Sequence, residues 1–174
     1  MDSETLRAAQ QPLKESYRED PAAALVTLRA DGDLDDSGLT CSVSTGQALV
    51  QAGLHPASGG DGLSACSGDM LLQALVACAG VTLRAVATSL GVPVSGGRVS
   101  AEGEVDFRGT LAVDREAPVG FTSVRLSFNL DTSATPEQLD TLLRLTERYC
   151  VVYQTLASPV PVTASVTSGA VPGG

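Results

Sequence analysis

The feature of this sequence that most constrains its fold is an unbroken helical pattern of inward-facing side chains near the middle of the chain. The side chains at i, i+4, i+7, i+11 and i+15 are Leu71, Leu75, Cys78, Thr82 and Val86. A spacing close to 3.6 residues per turn predicts a central helix with one buried face, and Cys78 lies on that face. Ser67 or Asp69 can cap the start of this helix. Gly91 and Pro93 end it.

A second helix has its own start signal in the sequence. Thr135 is a good N-cap, Pro136 fits the first helical position, and Gln138 stands where a capping box requires it. The pattern predicts a helix that runs to about Tyr149. A second cysteine, Cys150, therefore arrives at the end of a helix.

The remaining segments have the alternation that is typical of strands. Strands are predicted at residues 25–28, 39–45, 47–54, 98–110, 124–130 and 160–166. The acidic, glycine-containing run 30–38 is predicted to be a turn and 55–62 a loop. The order βββ-α-ββ-α-β indicates an α+β fold with antiparallel sheet segments and two main helices. We expect an N-terminal arm at 1–23, one domain at 24–167 and a flexible tail at 168–174.

The charge balance limits the partners of the chain. Eleven Lys and Arg against 20 Asp and Glu give a formal net charge of -9, without a basic cluster. Nucleic acid and anionic membrane surfaces are therefore not expected as partners. The first residues lack the basic start and apolar core of a secretory signal, and the most apolar stretch, 70–94, is interrupted by Gln73 and Arg84. We expect a cytoplasmic protein.

Four cysteines are too few for a disulfide scaffold in a chain of 174 residues. In a reducing compartment they are expected to be thiols, and a disulfide is expected to be transient. Cys41 and Cys66 are interpreted as structural. For Cys78 and Cys150 an inert, apolar thiol is the alternative to a reactive one.

Other kinds of site have little support in the sequence. His55 is the single histidine, it has no partner at a metal-binding spacing, and no Cys-x-x-Cys occurs. The glycine-rich run 58–62 lacks the preceding strand and the lysine of a phosphate-binding loop. We therefore expect neither a metal nor a nucleotide.

The surroundings of the two cysteines resemble the OsmC/Ohr family, the osmotically inducible protein C and organic hydroperoxide resistance proteins. The similar stretches are residues 67–83 around Cys78, the strands 105–111 and 120–130, and residues 142–156 around Cys150. The similarity runs from about Leu25 to Val166. It implies an OsmC-like fold and an intertwined homodimer in which both subunits build each active site.

The resemblance also implies an activity. Cys78 would attack an organic hydroperoxide as a thiolate, and Cys150 would resolve the resulting sulfenic acid as a disulfide. A dithiol, with a lipoyl-type dithiol as one candidate, would restore both thiols, and no metal, flavin or haem cofactor is required. Asp69 corresponds to an acidic residue, usually Glu, that orients an arginine toward the thiolate. Arg29 is the best match for that arginine, and Arg18 is the second.

Two features keep alternatives open. Asp69 is also a favourable first-turn residue for a helix, without any other role. Peroxidase members commonly follow the second cysteine with Pro-Val-Ser or similar, whereas Val151, Val152 and Tyr153 follow it here. A non-catalytic protein that binds an apolar ligand, or a redox sensor on the same fold, is therefore an alternative to the peroxidase.

Overall fold

The computed structural model describes residues 2–5, 8, 19, 31–34, 40–44, 49–112 and 114–167. The strands are β1 Asp31–Leu34, β2 Thr40–Ser44, β3 Leu49–Gly53, β4 Ala65–Cys66, β5 Gly96–Val105 and β6 Phe121–Asp131. The helices are α1 Ser67–Leu90, α2 Phe107–Thr110, α3 Pro136–Tyr149 and α4 Val151–Ala157. A single 3₁₀ turn covers Pro56–Ser58, and residues 3–5 of the predicted arm are helical.

The strands form two separate sheets. The first has the order β1-β2-β3-β4, with antiparallel neighbours except for the short parallel pair of β3 and β4. The second is the long antiparallel hairpin of β5 and β6, in which Val99 lies opposite Phe128. The predicted α+β class is confirmed. The predicted strands at 39–45 and 47–54 correspond to β2 and β3.

Helix α1 is the centre of the fold and packs against β5, α3 and α4. It begins at Ser67, so the N-cap is Cys66 and not Ser67 or Asp69, and Cys66 makes no side-chain capping bond. At the other end Gly91 has φ 67°, a left-handed conformation that glycine adopts without steric cost. The predicted C-terminus is therefore confirmed. By length and composition alone α1 could also span a membrane.

The core lies between α1, α3 and the hairpin. It is built from Leu83, Val86, Ala87, Val92 and Leu142, with Phe128 and Leu130 among the half-buried residues around it. Leu142, on α3, is only 1% exposed, and full burial of such a side chain contributes about 1.5–3 kcal/mol. This packing sets α3 beside α1 and thereby fixes where Cys150 meets α1.

The capping box at the start of α3 is confirmed. Thr135 Oγ1 accepts the backbone N–H of Gln138 at 3.3 Å, and Gln138 Oε1 accepts the N–H of Thr135 at 2.9 Å. The box satisfies two amides that have no partner within the helix.

Three predicted segments differ from the structure. The acidic run 30–38, predicted as a turn, contains strand β1. The strand predicted at 98–110 ends at Val105, because the Asp106 carboxylate accepts the N–H of Arg108 at 3.0 Å and starts α2. The strand predicted at 160–166 has no regular structure. The strand predicted at 25–28 lies outside the described residues.

Candidate active site

Cys78 lies in the middle of α1 and is half-buried. Leu75, one turn before it, is buried, and Thr82, one turn after it, is half-buried. Side chains at these spacings lie on the same side of a helix. Cys78 and Thr82 therefore lie at the edge of the buried face, where a thiol can meet both the core and a small molecule.

Cys150 lies at the break between α3 and α4 and is 0% exposed. Its backbone is extended, with φ -75° and ψ 110°, so that it is at once the C-cap of α3 and the N-cap of α4. Its N–H donates to the carbonyl of Thr146 at 2.9 Å, and its carbonyl accepts the N–H of Gln154 at 2.9 Å. Its sulfur accepts the N–H of Tyr153 at 3.5 Å.

The break at Cys150 places the first amides of α4 near the sulfur of Cys78. The first N–H groups of a helix have no acceptor within it, so they are available to an outside acceptor. Hydrogen bonding by the amides of Val151 and Val152, by the Cys150 thiol and by the Thr82 hydroxyl favours the thiolate of Cys78 and lowers the pKa of this thiol.

These donors change the acidity of Cys78. Burial is the largest single influence and raises the pKa of the thiol, since it disfavours a charge. The hydrogen bonds from Val152, Cys150, Val151 and Thr82 outweigh it, and the pKa of Cys78 is lowered below its usual range. A lowered pKa increases the fraction of thiolate, which is the nucleophilic form.

Cys150 shows the opposite effect. Burial, again the largest influence, raises the pKa of this thiol, and the hydrogen bond to Cys78 and the charge on Cys78 raise it further. The amides of Tyr153 and Val152 oppose this rise without cancelling it. In this coupled pair the proton therefore stays on Cys150 while Cys78 ionises first.

An apolar cavity of about 590 Å³ lies between α1, α4 and β6. Its walls include Leu71 and Leu75 of α1, Phe121 of β6, and Tyr153 and Leu156 of α4. Leu75 is one turn from Cys78 and Tyr153 is one turn from Cys150, so the cavity lies about one helical turn from the two thiols, neither of which lines it. An apolar molecule of moderate size fits such a space.

Tyr153 adds a polar group to this wall. Burial raises the pKa of its phenol first, and the nearby carboxylate of Glu147, to which the hydroxyl donates, raises it further. The phenol is therefore neutral at physiological pH.

The family model for OsmC-like proteins matches residues 59–165, which is more than half of the chain. The protein belongs to the OsmC family. A search of curated proteins finds no significant relative.

Solved OsmC-family structures share the fold. An OsmC-like protein from Mycoplasma pneumoniae superimposes with a TM-score of 0.65 at 12% identity, covering 77% of this chain and 89% of the other. An organic hydroperoxide resistance protein from Elizabethkingia anophelis gives 0.60 at 17% identity, with coverages of 78% and 91%. One from Legionella pneumophila gives 0.59 at 16% identity, with coverages of 76% and 90%.

Within one chain of this OsmC-family protein, the structure does not bring Asp69 to Cys78. The two residues are nine positions apart on α1, which corresponds to about 13.5 Å along the axis and half a turn around it. Asp69 instead lines a shallow depression with Gln73 and Val76 on the other side of the helix. Arg29 and Arg18 lie outside the described residues, so the arginine part of the clamp stays a prediction.

Three further residues considered in the sequence, Cys66, Cys41 and His55, lie on other elements than the thiol pair or at a helix start. Cys66 is a half-buried free thiol at the start of α1, and Cys41 lies in β2. The Nδ1 atom of His55 accepts the N–H of Ala57 at 3.0 Å, and its ring stacks on Phe107 at 5.1 Å. In the described part of the chain no three His, Cys, Asp or Glu residues are grouped as metal ligands.

Three groups that lower the pKa of Cys78 are not predicted from the sequence. The pattern predicts Thr82 only as a position on the helical stripe, although the i, i+4 spacing from a candidate nucleophile is itself a usable signal. The amides of Val151 and Val152 have no side-chain signature. These amides lie near the Cys78 sulfur because α4 begins directly after the break at Cys150.

Proposed function

We propose that this OsmC-family protein reduces organic hydroperoxides to alcohols, with Cys78 as nucleophile and Cys150 as resolving thiol. The observation that carries the proposal is the difference in exposure between two neighbouring thiols, half-buried Cys78 and completely buried Cys150. The pKa of half-buried Cys78 is lowered, whereas that of fully buried Cys150 is raised. An accessible thiolate beside a protected thiol is the arrangement that the chemistry needs.

The reaction proceeds in three balanced steps. The Cys78 thiolate attacks the distal oxygen of ROOH and the O–O bond breaks, which gives a sulfenic acid and an alkoxide that takes a proton to become ROH. The Cys150 thiol attacks the sulfenic sulfur, which forms a disulfide and releases water. A dithiol then reduces this disulfide by two exchanges, restores both thiols and leaves oxidised as a cyclic disulfide.

The hydrogen bonds around Cys78 have a role in the first step. The Val151 and Val152 amides and the Thr82 hydroxyl are fixed donors in a partly dry site, where they stabilise the thiolate without reorganisation. Cys150 donates to the same sulfur and so is already beside it when the sulfenic acid forms. Resolution then requires little movement.

The apolar cavity supports an organic substrate over hydrogen peroxide. Leu71, Leu75 and Leu156 offer surface to an alkyl or aryl group, while a peroxide without such a group gains nothing from it. The names of the solved relatives from Elizabethkingia and Legionella agree with this substrate class.

We further propose that the protein is located in the cytoplasm and that its reductant is a dithiol, such as a lipoyl group. We also propose that it forms a homodimer. Large apolar side chains are exposed on a single chain, among them Val81 on α1 (72%), Val151 (66%) and Val162 (86%). A second copy that covers them would remove this surface from water.

A binding protein without turnover is the second candidate, and the cavity of about 590 Å³ is the observation that favours it. Steady-state assays separate the two. With dithiothreitol present, we expect the protein to consume cumene hydroperoxide faster than hydrogen peroxide and to release cumyl alcohol. Cys78→Ser is the control for thiol chemistry. Binding of cumyl alcohol without any turnover of the hydroperoxide would favour the second candidate.

A further inference from the structure

We propose that Phe121 is a specificity-determining residue, whose ring closes the end of the apolar cavity that lies farthest from Cys78. The ring thereby limits the length of the organic group that the cavity accepts. The inference deepens the proposed function and rests on it, since it takes the alkyl chain of a hydroperoxide as the occupant of the cavity.

The first argument is where the ring lies along α1. The cavity follows this helix from Leu75 to Leu71, and Phe121 of β6 is also part of its wall. The ring reaches α1 at Gly68, where its Cζ atom is 3.5 Å from the position that a Cβ on this glycine would take. Gly68 precedes Cys78 by ten positions, which corresponds to about 15 Å along the helix axis. Phe121 therefore lies at the end of the cavity away from the thiols.

The second argument is a β-bulge that turns Phe121 toward the cavity. Gly103 pairs with Val124 across the hairpin. Two residues further along β5, Val105 pairs with Phe121, which is three residues away from Val124 on β6. Because side chains alternate between the faces of a strand, this extra residue exchanges the face on which Phe121 lies. Phe121 consequently shares the face of Val124, and both residues line the cavity.

The third argument is the space that Gly103 leaves for the ring. A Cβ on Gly103 would lie 2.5 Å from Cε1 and 2.6 Å from Cδ1 of Phe121, which is closer than atoms can approach. A glycine inside a strand weakens the strand and often marks such a close approach. Gly103 and Gly68 together form a slot for the ring. A methyl group at position 103 would push the ring out of this slot and into the open space of the cavity.

The test measures how the binding of straight-chain primary alcohols, from butanol to decanol, depends on chain length in the reduced full chain. These alcohols are the products of the corresponding hydroperoxides, and titration calorimetry measures their affinity without turnover. Phe121→Ala removes the ring and Gly103→Ala displaces it, while the double variant has the methyl group but no ring to displace.

Gly80→Ala is the matched control, because a methyl group there meets Val99 Cγ2 at an ordinary distance of 3.6 Å. Circular dichroism melts verify the folding of every variant. Phe121→Leu replaces Phe121→Ala if the alanine variant does not fold, and the Phe121 variants carry the test alone if Gly103→Ala does not.

In the parent, each added methylene should raise the affinity roughly fourfold until the chain reaches Phe121, and longer chains should gain nothing further. We expect Phe121→Ala to extend this rise by several carbons, because the end of the cavity is then open. Gly103→Ala should stop the rise at a shorter alcohol. The double variant should behave like Phe121→Ala, which general damage to the hairpin would not produce, and Gly80→Ala should match the parent.

An equal limit of chain length in the parent and in Phe121→Ala overturns the proposal, and so does a parent without any limit. Failure of the proposed function would appear differently, as a parent that shows the limit and its shifts but consumes no hydroperoxide. In a parent that does consume hydroperoxides, the chain length at which kcat/KM stops rising should shift in the same direction in each variant.

Discussion

Cys150 and Cys78 lie close enough for each thiol to shift the pKa of the other, and the two cysteines differ in access to solvent. Cys150 is completely buried at a break between two helices, whereas Cys78 is half-buried on the central helix. The more exposed thiol, Cys78, is therefore the first of the two to meet a small oxidant. This geometry assigns different roles to two residues of the same chemistry.

Replacement of either cysteine should separate the two roles. We expect Cys78→Ser to abolish hydroperoxide consumption, because the remaining thiol of the pair, Cys150, is completely buried and its pKa is raised. Cys150→Ser should undergo one oxidation and then accumulate sulfenic or sulfinic acid at Cys78. Intact-mass spectrometry after one equivalent of cumene hydroperoxide distinguishes these states. If Cys150→Ser turned over with dithiothreitol at the parent rate, the resolving role would be wrong.

Proline at position 151 should delete one donor with little change in fold. Val151 is the first residue of α4, where proline is well tolerated, and Cys150 before it is already extended. We expect Val151→Pro to raise the pKa of Cys78 and to slow its alkylation near neutral pH by severalfold. Val151→Ala, which keeps the N–H, is the control. Equal alkylation profiles for the two variants would show that this amide does not stabilise the thiolate.

The two thiols should react in a fixed order as the pH rises. The lowered pKa of Cys78 means that its thiolate, and hence its alkylation, appears at lower pH than that of an ordinary thiol, while the raised pKa of Cys150 delays it. Peptide mapping of partially alkylated protein over a pH series measures both. Removal of the Cys150 proton donor, as Cys150→Ala, should move the Cys78 midpoint upward. Labelling of Cys150 before Cys78 would reverse the assignment.

Asp69→Asn should leave the alkylation midpoint of Cys78 unchanged, since the carboxylate lies on the opposite side of α1. The same measurement on Arg29→Ala and Arg18→Ala tests the arginine part of the predicted clamp. A higher midpoint in both Asp69→Asn and one arginine variant would restore the clamp and would require its parts to meet across subunits.

The sequence predicted the parts of the fold that depend on local signals. The capping box at Thr135 and the end of α1 at Gly91 are read from a few neighbouring residues. The predicted stripe on α1 is right only in part: Leu75 and Val86 are buried, Cys78 and Thr82 are half-buried, and Leu71 is exposed. The α+β class followed from these elements together with the alternation of β2, β5 and β6. The cysteine pair was identified through its family resemblance, and the structure brings the two residues together.

The errors in the fold have a common physical origin. Residues 160–166 alternate as a strand does, but a strand also needs a neighbouring edge, and Pro159 and Pro161 have no N–H to give it. At the end of β5 the apolar alternation continues to Phe107, yet the side chain of Asp106 captures an amide and turns the chain into α2. In both cases the alternation of side chains predicts a strand, but the hydrogen bonds of the backbone determine whether a strand forms.

The site depends less on local signals. The role of Asp69 is implied by the family resemblance and stays a prediction, since a nine-residue spacing on a helix places Asp69 opposite Cys78 within one chain. The amides of Val151 and Val152 are present in any sequence. They become part of the site because the chain breaks at Cys150, between α3 and α4, so that α4 begins near Cys78.

The most direct test of the central claim is disulfide mapping after a single turnover. Fully reduced protein is mixed with one equivalent of cumene hydroperoxide, free thiols are blocked, and the proteolytic peptides are analysed by mass spectrometry alongside the alcohol released. We predict one equivalent of cumyl alcohol and a disulfide between Cys78 and Cys150, with Cys41 and Cys66 remaining free. Unconsumed hydroperoxide with all four thiols intact, or a disulfide that contains Cys41 or Cys66, would contradict the account.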